Sequence, residues 1–96
     1  MGDFRKLEVW QLAIDLAVFI YRITDSGKFS RDYDLRNQIR KAAVSIPSNI
    51  SEGDESGSNK QSIRYFNISK GSSAEVQTQS IIALEIDIFL QKKKVR

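Results

Sequence analysis

Apolar side chains recur at three- and four-residue intervals along almost the whole chain, and the pattern predicts three helices, over about 7–24, 34–52 and 59–90. In the first, Trp10, Ala13, Ile14, Leu16, Ala17, Ile20, Tyr21 and Ile23 cover well over half of the circumference. Leu12, Val18 and Phe19 stand at the margins, and Glu8, Gln11, Asp15 and Arg22 form the polar stripe. One partner helix cannot cover so wide a face, so this helix is expected at the centre of the domain or at a subunit interface as well. Trp10 lies on the apolar arc and is read as a core residue with no ligand. Ser26-Gly27 supplies a stop signal.

The second helix carries a contradiction. Leu35, Ile39, Ala42, Ala43, Ile46 and Ile50 fall on one narrow stripe, yet Pro47 sits inside the pattern. A proline there cannot donate to the carbonyl of Ala43, and its ring crowds that carbonyl, at a cost of ~3 kcal/mol in an ordinary helix interior. The helix is expected to bend, with Ala42, Ala43 and Pro47 pressed against a neighbouring helix. Ser45, Ser48 and Asn49, or water, would satisfy the freed carbonyl. The natural neighbour is the third helix, whose middle is unusually rich in small residues: Ser69, Gly71, Ser72, Ser73 and Ala74. Gly71 is counted with Ala42 and Ala43 as a point of close packing.

Ser58 followed by Gln61 fits a capping box that starts the third helix, which would be close to 45 Å long. Its C-terminal part, with Ile81, Ile82, Leu84, Ile86, Ile88, Phe89 and Leu90, is apolar on more than one face. Asp32 or Asp34 caps the second helix.

At 96 residues the chain makes a single domain, 1–96, large enough for a core but marginal, so that oligomerisation would help it. Cysteine and histidine are both absent, which removes disulfides, thiol nucleophiles, imidazole bases and the usual zinc ligands. The N-terminus reads as neither a signal nor a transit peptide, and Lys6 stands where the myristoylation pattern needs Ser or Thr. No stretch reads as a membrane span, so a cytoplasmic location is expected. The polar loop after Gly53 lacks the Lys-Ser/Thr of a phosphate-binding loop.

Glu52, Glu75 and Glu85 invite an active-site reading, but bundle metal sites pair carboxylates with histidine, and none is present. Glu75 is expected to pair with Arg40 or Arg64, or to meet the backbone near Pro47. The expectation is a protein that is not an enzyme, with no metal and no cofactor. The basic set is the better lead. Net charge is only +3, but Arg36, Arg40, Lys41, Lys60, Arg64 and Lys70 outnumber the acids between positions 36 and 73, and Lys92, Lys93, Lys94 and Arg96 add a basic tail. Arg36 and Arg40 lie four apart on one flank of the second helix, and Lys60 and Arg64 repeat that spacing on the third. In a monomer this is a weak field; in a symmetric assembly it is multiplied, and RNA binding would follow through counterion release.

The stretch QIRKAAVSIPSNISEG, preceded by FRKLEVWQLAIDLA and followed by GSSAEVQTQ, resembles the small four-helix-bundle proteins encoded in intervening sequences of bacterial large-subunit ribosomal RNA genes. The resemblance covers residues 4 to about 83 and includes the mid-helix proline. Such proteins are similar in fold to the accessory variability protein of diversity-generating retroelements, which assembles as a pentamer and engages RNA and a reverse transcriptase. The resemblance therefore implies an all-α, antiparallel up-and-down helical bundle, here with three helices where the family has four. It also implies a homo-oligomer, as a pentamer, that meets structured RNA. It places the Arg40-Lys41 step on RNA; Arg36, Lys60 and Arg64 are added from their spacing alone. The C-terminal stretch departs from the family: either another subunit covers its apolar face, or the reading frame is altered from about Glu85 on. The resulting expectation is a non-enzymatic RNA-binding or ribonucleoprotein scaffold. The rival is an adaptor that holds a polymerase or ribosomal protein through an apolar helical face.

Overall fold

The computed structural model describes residues 2–94, without the side chains at positions 28, 88, 89 and 94. The side chains of Ile88, Phe89 and Lys94, and the whole of Arg96, thus lie outside what is described. Three α-helices account for nearly all of the rest: α1 (Glu8–Ile23), α2 (Tyr33–Glu55) and α3 (Asn59–Lys94). Two short 3-10 turns, Phe4–Lys6 and Lys28–Arg31, precede α1 and α2. Among the described residues there is no strand, and no helix is long and apolar enough to cross a membrane.

Local chemistry sets the helix ends. Asp3 caps the first 3-10 turn by accepting from the Arg5 amide at 3.1 Å, and Gln11 on α1 donates to the Arg5 carbonyl at 2.9 Å, tying the turn to the helix. The Arg5 guanidinium hydrogen-bonds the same carboxylate and holds Asp3 below the usual carboxylate range. Past Thr24 the chain turns at Gly27, whose φ of +74° is a conformation in which a Cβ would be strained. Asp32, not Asp34, caps α2 through the Leu35 amide, and Ser58 caps α3 through the Gln61 amide, at 3.1 and 3.2 Å. Between α2 and α3 the hydroxyls of Ser56 and Ser62 both donate to the Gly53 carbonyl at 2.8 Å. These bonds occupy an acceptor that the end of α2 leaves open.

The wide apolar arc of α1 left two places open for it, the centre of the domain or a subunit interface as well; within this chain α2 is central, with α1 on one flank and α3 on the other. Ile39 and Ala43 at 1% and 0% exposure, with Ala42, Ile46 and Ile50, are closed off by Ala13, Ala17 and Ile20 from α1 and Val76 from α3. Ala42, Ala43 and Pro47 are all buried, and α2 continues as helix through the proline. No described side-chain bond goes to the Ala43 carbonyl. Its neighbours take the donors instead: Asn49 to the Ser45 carbonyl at 2.8 Å, and Ser69 of α3 to the Ile46 carbonyl at 2.9 Å. The small residues of α3 do meet α2, since Ser69 and Ser72 are buried and Ser72 bonds the Ser45 hydroxyl at 2.8 Å.

Gly71 is the exception. It stands exposed, and a Cβ built on it would meet nothing within 4 Å, so it makes no close approach within this chain. Its helix turn points it away from the Ser69–Ser72–Val76 line. The intimate glycine is Gly53, where an added Cβ would lie 2.6 Å from the Phe66 ring.

Facing pairs Gly53–Ser62, Ile46–Ser69, Ser45–Ser72 and Gln38–Gln79 step along α2 and α3 in opposite directions, which fixes an antiparallel register. At that register the N-terminus of α2 faces roughly residue 83, so the last ten or so residues of α3 run past it by about 15 Å. With 36 residues α3 exceeds the expected length, and helix continues through Glu85 to Lys94. The molecule is accordingly long, 59 × 21 × 20 Å, with a radius of gyration of 16.1 Å. A compact domain of this length would have about 12.5 Å.

Candidate functional site

Arg40 does not stand on a free surface. It projects from α2 toward the C-terminus of α1, where helix geometry leaves carbonyls without intrahelical partners. There its Nε donates to Thr24 Oγ1 at 2.7 Å and its Nη2 to the Tyr21 carbonyl at 3.2 Å. The guanidinium lies 4.5 Å from the centre of the Tyr21 ring, and Asp25 stands at 3.9 Å. Thr24, with 0% exposure, passes its own proton to the Ile20 carbonyl at 2.7 Å, so its oxygen is free to accept from Arg40. The cation thus caps α1 and bolts it to α2. This corrects two expectations at once: Arg40 pairs with α1 and not with Glu75, and its side chain is only 20% exposed.

Arg36 is drawn inward by the same geometry. Its Nη1 donates to the Ser30 carbonyl at 3.2 Å, its guanidinium stacks 4.8 Å from the Tyr33 ring, and its Nε is buried without a partner. Of the five cations singled out from the sequence, Lys41, Lys60 and Arg64 are the exposed ones. They do not form one patch with the other two. Arg36 and Arg40 sit at the start of α2, whereas Lys60 and Arg64 sit at the start of α3, beside the far end of α2. By the antiparallel register, Arg40 and Arg64 are roughly 18 Å apart along the axis and Arg36 and Lys60 roughly 30 Å.

Lys41 lies at the mouth of a shallow groove between α2 and α3, with Gln38, Ser45, Ser72, Glu75 and Gln79 along its walls. Glu52 and Glu75 are both exposed. Among the described residues no three carboxylates converge on a position that could hold a metal.

The apolar surface is the larger feature. On α1, Leu12, Phe19 and Ile23 stand 61%, 56% and 44% exposed, and on α3 Ile63, Ile81 and Leu84 stand 60%, 60% and 58% exposed. Leu12 and Phe19 lie seven apart, Phe19 and Ile23 four, and Ile81 and Leu84 three, while Ile63 stands five full turns before Ile81, so each set lies along one side of its helix. The two stripes lie on the two helices that flank α2. A cleft of about 300 Å³, lined by Ile23, Phe29, Leu35, Ala83 and Ile86 with Asp32 and Asp87 at its rim, marks one end of this face.

The signals missed in sequence were local. Thr24 at a helix end, three residues after an aromatic and four after an isoleucine, is a donor–acceptor relay waiting for a cation. A glycine on the buried stripe of α2, Gly53, marks a close approach more directly than Gly71 on the outer face.

A family model described as 23S rRNA-intervening sequence protein matches residues 5–95. The match runs on through the C-terminal part of α3, the stretch set apart from the resemblance above. No curated protein sequence matches the chain significantly.

Proposed function

The chain belongs to the 23S rRNA-intervening sequence protein family, and on that premise we propose that it is a non-enzymatic, self-associating helical scaffold that works within an RNA–protein assembly. The observation that carries the reading is surface area. The chain exposes 7109 Å², whereas a compact 10.9 kDa monomer exposes about 5,600 Å². The difference, about 1,500 Å², is close to two standard interface halves of ~800 Å². Much of it is apolar, on the stripes of α1 and α3, which a second copy would cover as a further helix covers an open bundle. A closed ring, with the pentamer as the expected size, satisfies two such patches on every subunit.

Assembly also supplies the RNA surface that one chain lacks. Lys41, Lys60 and Arg64 are exposed but spread out, and Glu52 and Glu75 weaken their field. Repetition around an axis brings several copies within reach of one RNA, each neutralised phosphate steepening the salt dependence.

Light scattering of the protein at micromolar concentration tests the scaffold. The native chain is expected as an oligomer and the double variant Leu12→Glu, Phe19→Glu as a folded monomer. A native monomer at that concentration refutes the reading. RNA contact is tested on the native oligomer by titration with a structured RNA at low and physiological salt. Substitution of Lys41, Lys60 and Arg64 together by Ala is expected to lower affinity and flatten the salt slope; unchanged binding refutes that surface. Salt-insensitive capture of a different protein by the apolar face, with no RNA affinity, would replace the scaffold by an adaptor.

A further inference from the structure

The part of α3 that runs past the start of α2 still carries apolar side chains: Ile82, Ile86 and Leu90 stand 45%, 44% and 39% exposed. Their spacing makes a seam. Ile82, Ile86 and positions 89 and 93 follow one another by four, three and four, the repeat of a helix that packs lengthwise on another helix. Charge beside the seam selects the partner. Glu85 and Lys92, both exposed, lie one heptad apart on the same flank, the acid in the first half of the segment and the base in the second. A second copy of the segment laid antiparallel puts each Glu85 opposite the other's Lys92, whereas a parallel copy sets Glu85 against Leu90 and gathers the lysines at one end. The antiparallel register also sets Ile86 opposite position 89, Ile82 beside the aliphatic stem of Lys93, and Leu90 opposite Ala83. Ala83 and Ile86 line the cleft of about 300 Å³ together with Ile23, Phe29 and Leu35. Leu90 of the second copy therefore arrives at an apolar opening, and the Asp32 and Asp87 carboxylates at its rim suit the lysines that follow.

We propose that the overhang of α3 pairs antiparallel with the overhang of a second copy, across a two-fold axis between positions 87 and 88, with each Leu90 seated at the other's cleft. The inference rests on the self-association proposed above and adds a second contact to it. A self-complementary contact closes after two copies, so it differs from the head-to-tail contact of a ring and links a copy in one ring to a copy in another. Leu12 and Phe19 on α1, and Ile81 and Leu84 on another side of α3, remain for the ring. The seam is short. Two heptads cover well under the ~800 Å² a side of a standard interface, so the pairing is held by several such contacts acting together.

The chain has no cysteine, so a single introduced one reports its own surroundings. Ile86→Cys and Ile82→Cys, both outside the core, are each treated with a short bis-maleimide at micromolar concentration, with circular dichroism to confirm the helices and light scattering of the native chain alongside. In the antiparallel pair the two copies of position 86 are staggered by about 4.5 Å along the axis and the two copies of position 82 by about 16 Å. Ile86→Cys is therefore expected to give covalent dimers and Ile82→Cys to give none. Added to Ile86→Cys, Glu85→Lys or Lys92→Glu alone should slow the crosslinking by about fivefold, and the two together should restore it. Equal crosslinking of the two cysteine variants, or none by either, overturns the pairing; the ring still stands if the native chain scatters as an oligomer. Crosslinking at position 86 that the paired charge reversal does not recover overturns the register, and the proposal with it. A native chain that scatters as a monomer, with no crosslink at position 86, overturns both the pairing and the self-association on which it rests.

Discussion

Arg40 offers the sharpest separation between a structural cation and an RNA-binding one. Replacing it by Lys keeps the positive charge and the reach toward a phosphate, but an ammonium cannot make the fork that joins Thr24 Oγ1 at 2.7 Å to the Tyr21 carbonyl at 3.2 Å, nor stack flat on Tyr21. A hydrogen bond to a charged donor contributes about 1.5–3 kcal/mol and a partly exposed cation–π contact about 0.5–1 kcal/mol. The 3.9 Å approach to Asp25, whose side chain is 85% exposed, contributes close to nothing. Because these terms share one side chain they do not sum in full, and the expected loss is about 2–3 kcal/mol for Arg40→Ala and about 1–2 kcal/mol for Arg40→Lys. For a domain of this size 1 kcal/mol moves the midpoint of thermal unfolding by about 4–8 °C. Urea denaturation followed by circular dichroism at 222 nm, at fixed protein concentration because association contributes, measures both variants against Lys41→Ala. The Lys41 variant is expected within about 0.5 kcal/mol of the native chain. If Arg40→Lys unfolds at the native midpoint, the clamp on α1 contributes nothing and the cation is again a candidate for RNA.

Other expectations follow from the same contacts. Gly53→Ala should destabilise by about 1 kcal/mol, because an added Cβ 2.6 Å from Phe66 costs more than the ~1 kcal/mol that alanine gains in a helix. In a Phe66→Ala background the same change should stabilise, and a double-mutant cycle in urea that shows no reversal of sign would refute the clash. Ser69→Ala should cost about 1 kcal/mol through loss of the buried bond to the Ile46 carbonyl at 2.9 Å, read by the same denaturation. The Asp3 carboxylate is held below its usual range by the Arg5 side chain, so its folded-state pKa is depressed. Its contribution is therefore full above the unfolded-state value and is lost as pH falls through the folded one. Acidification across that window should loosen the turn and change Trp10 emission, since Phe4 packs on Trp10. Asp3→Asn should abolish the transition.

What could be read from the chain was everything that depends on spacing along one helix. The periodicity of Ile39, Ala42, Ala43, Ile46 and Ile50 gave the buried stripe of α2, and capping chemistry gave the start of α3 at Ser58 and narrowed that of α2 to Asp32 or Asp34, because an amide and the oxygen that caps it are three residues apart wherever the helix lies. The absence of cysteine and histidine was equally plain. The family resemblance rested on local strings of the same kind.

Order in space was not legible. A helix with a wide apolar arc reads the same whether it is central or flanking, and only packing decided that α2 takes the centre and that α1 keeps Leu12, Phe19 and Ile23 exposed. Arg36 and Arg40 share a helix flank with the spacing of a phosphate clamp, but what a cation meets depends on the neighbouring element. Here that element is the open carbonyl end of α1, near enough to satisfy Arg40 before any ligand. Gly53 and Gly71 are indistinguishable as residue types, and only the register of α3 brings a Phe66 ring against one and leaves the other bare. Helical patterning fixes which side of a helix is apolar, whereas antiparallel register and packing order decide which groups from distant positions come within the few ångströms where hydrogen bonds, ring stacking and steric clash act.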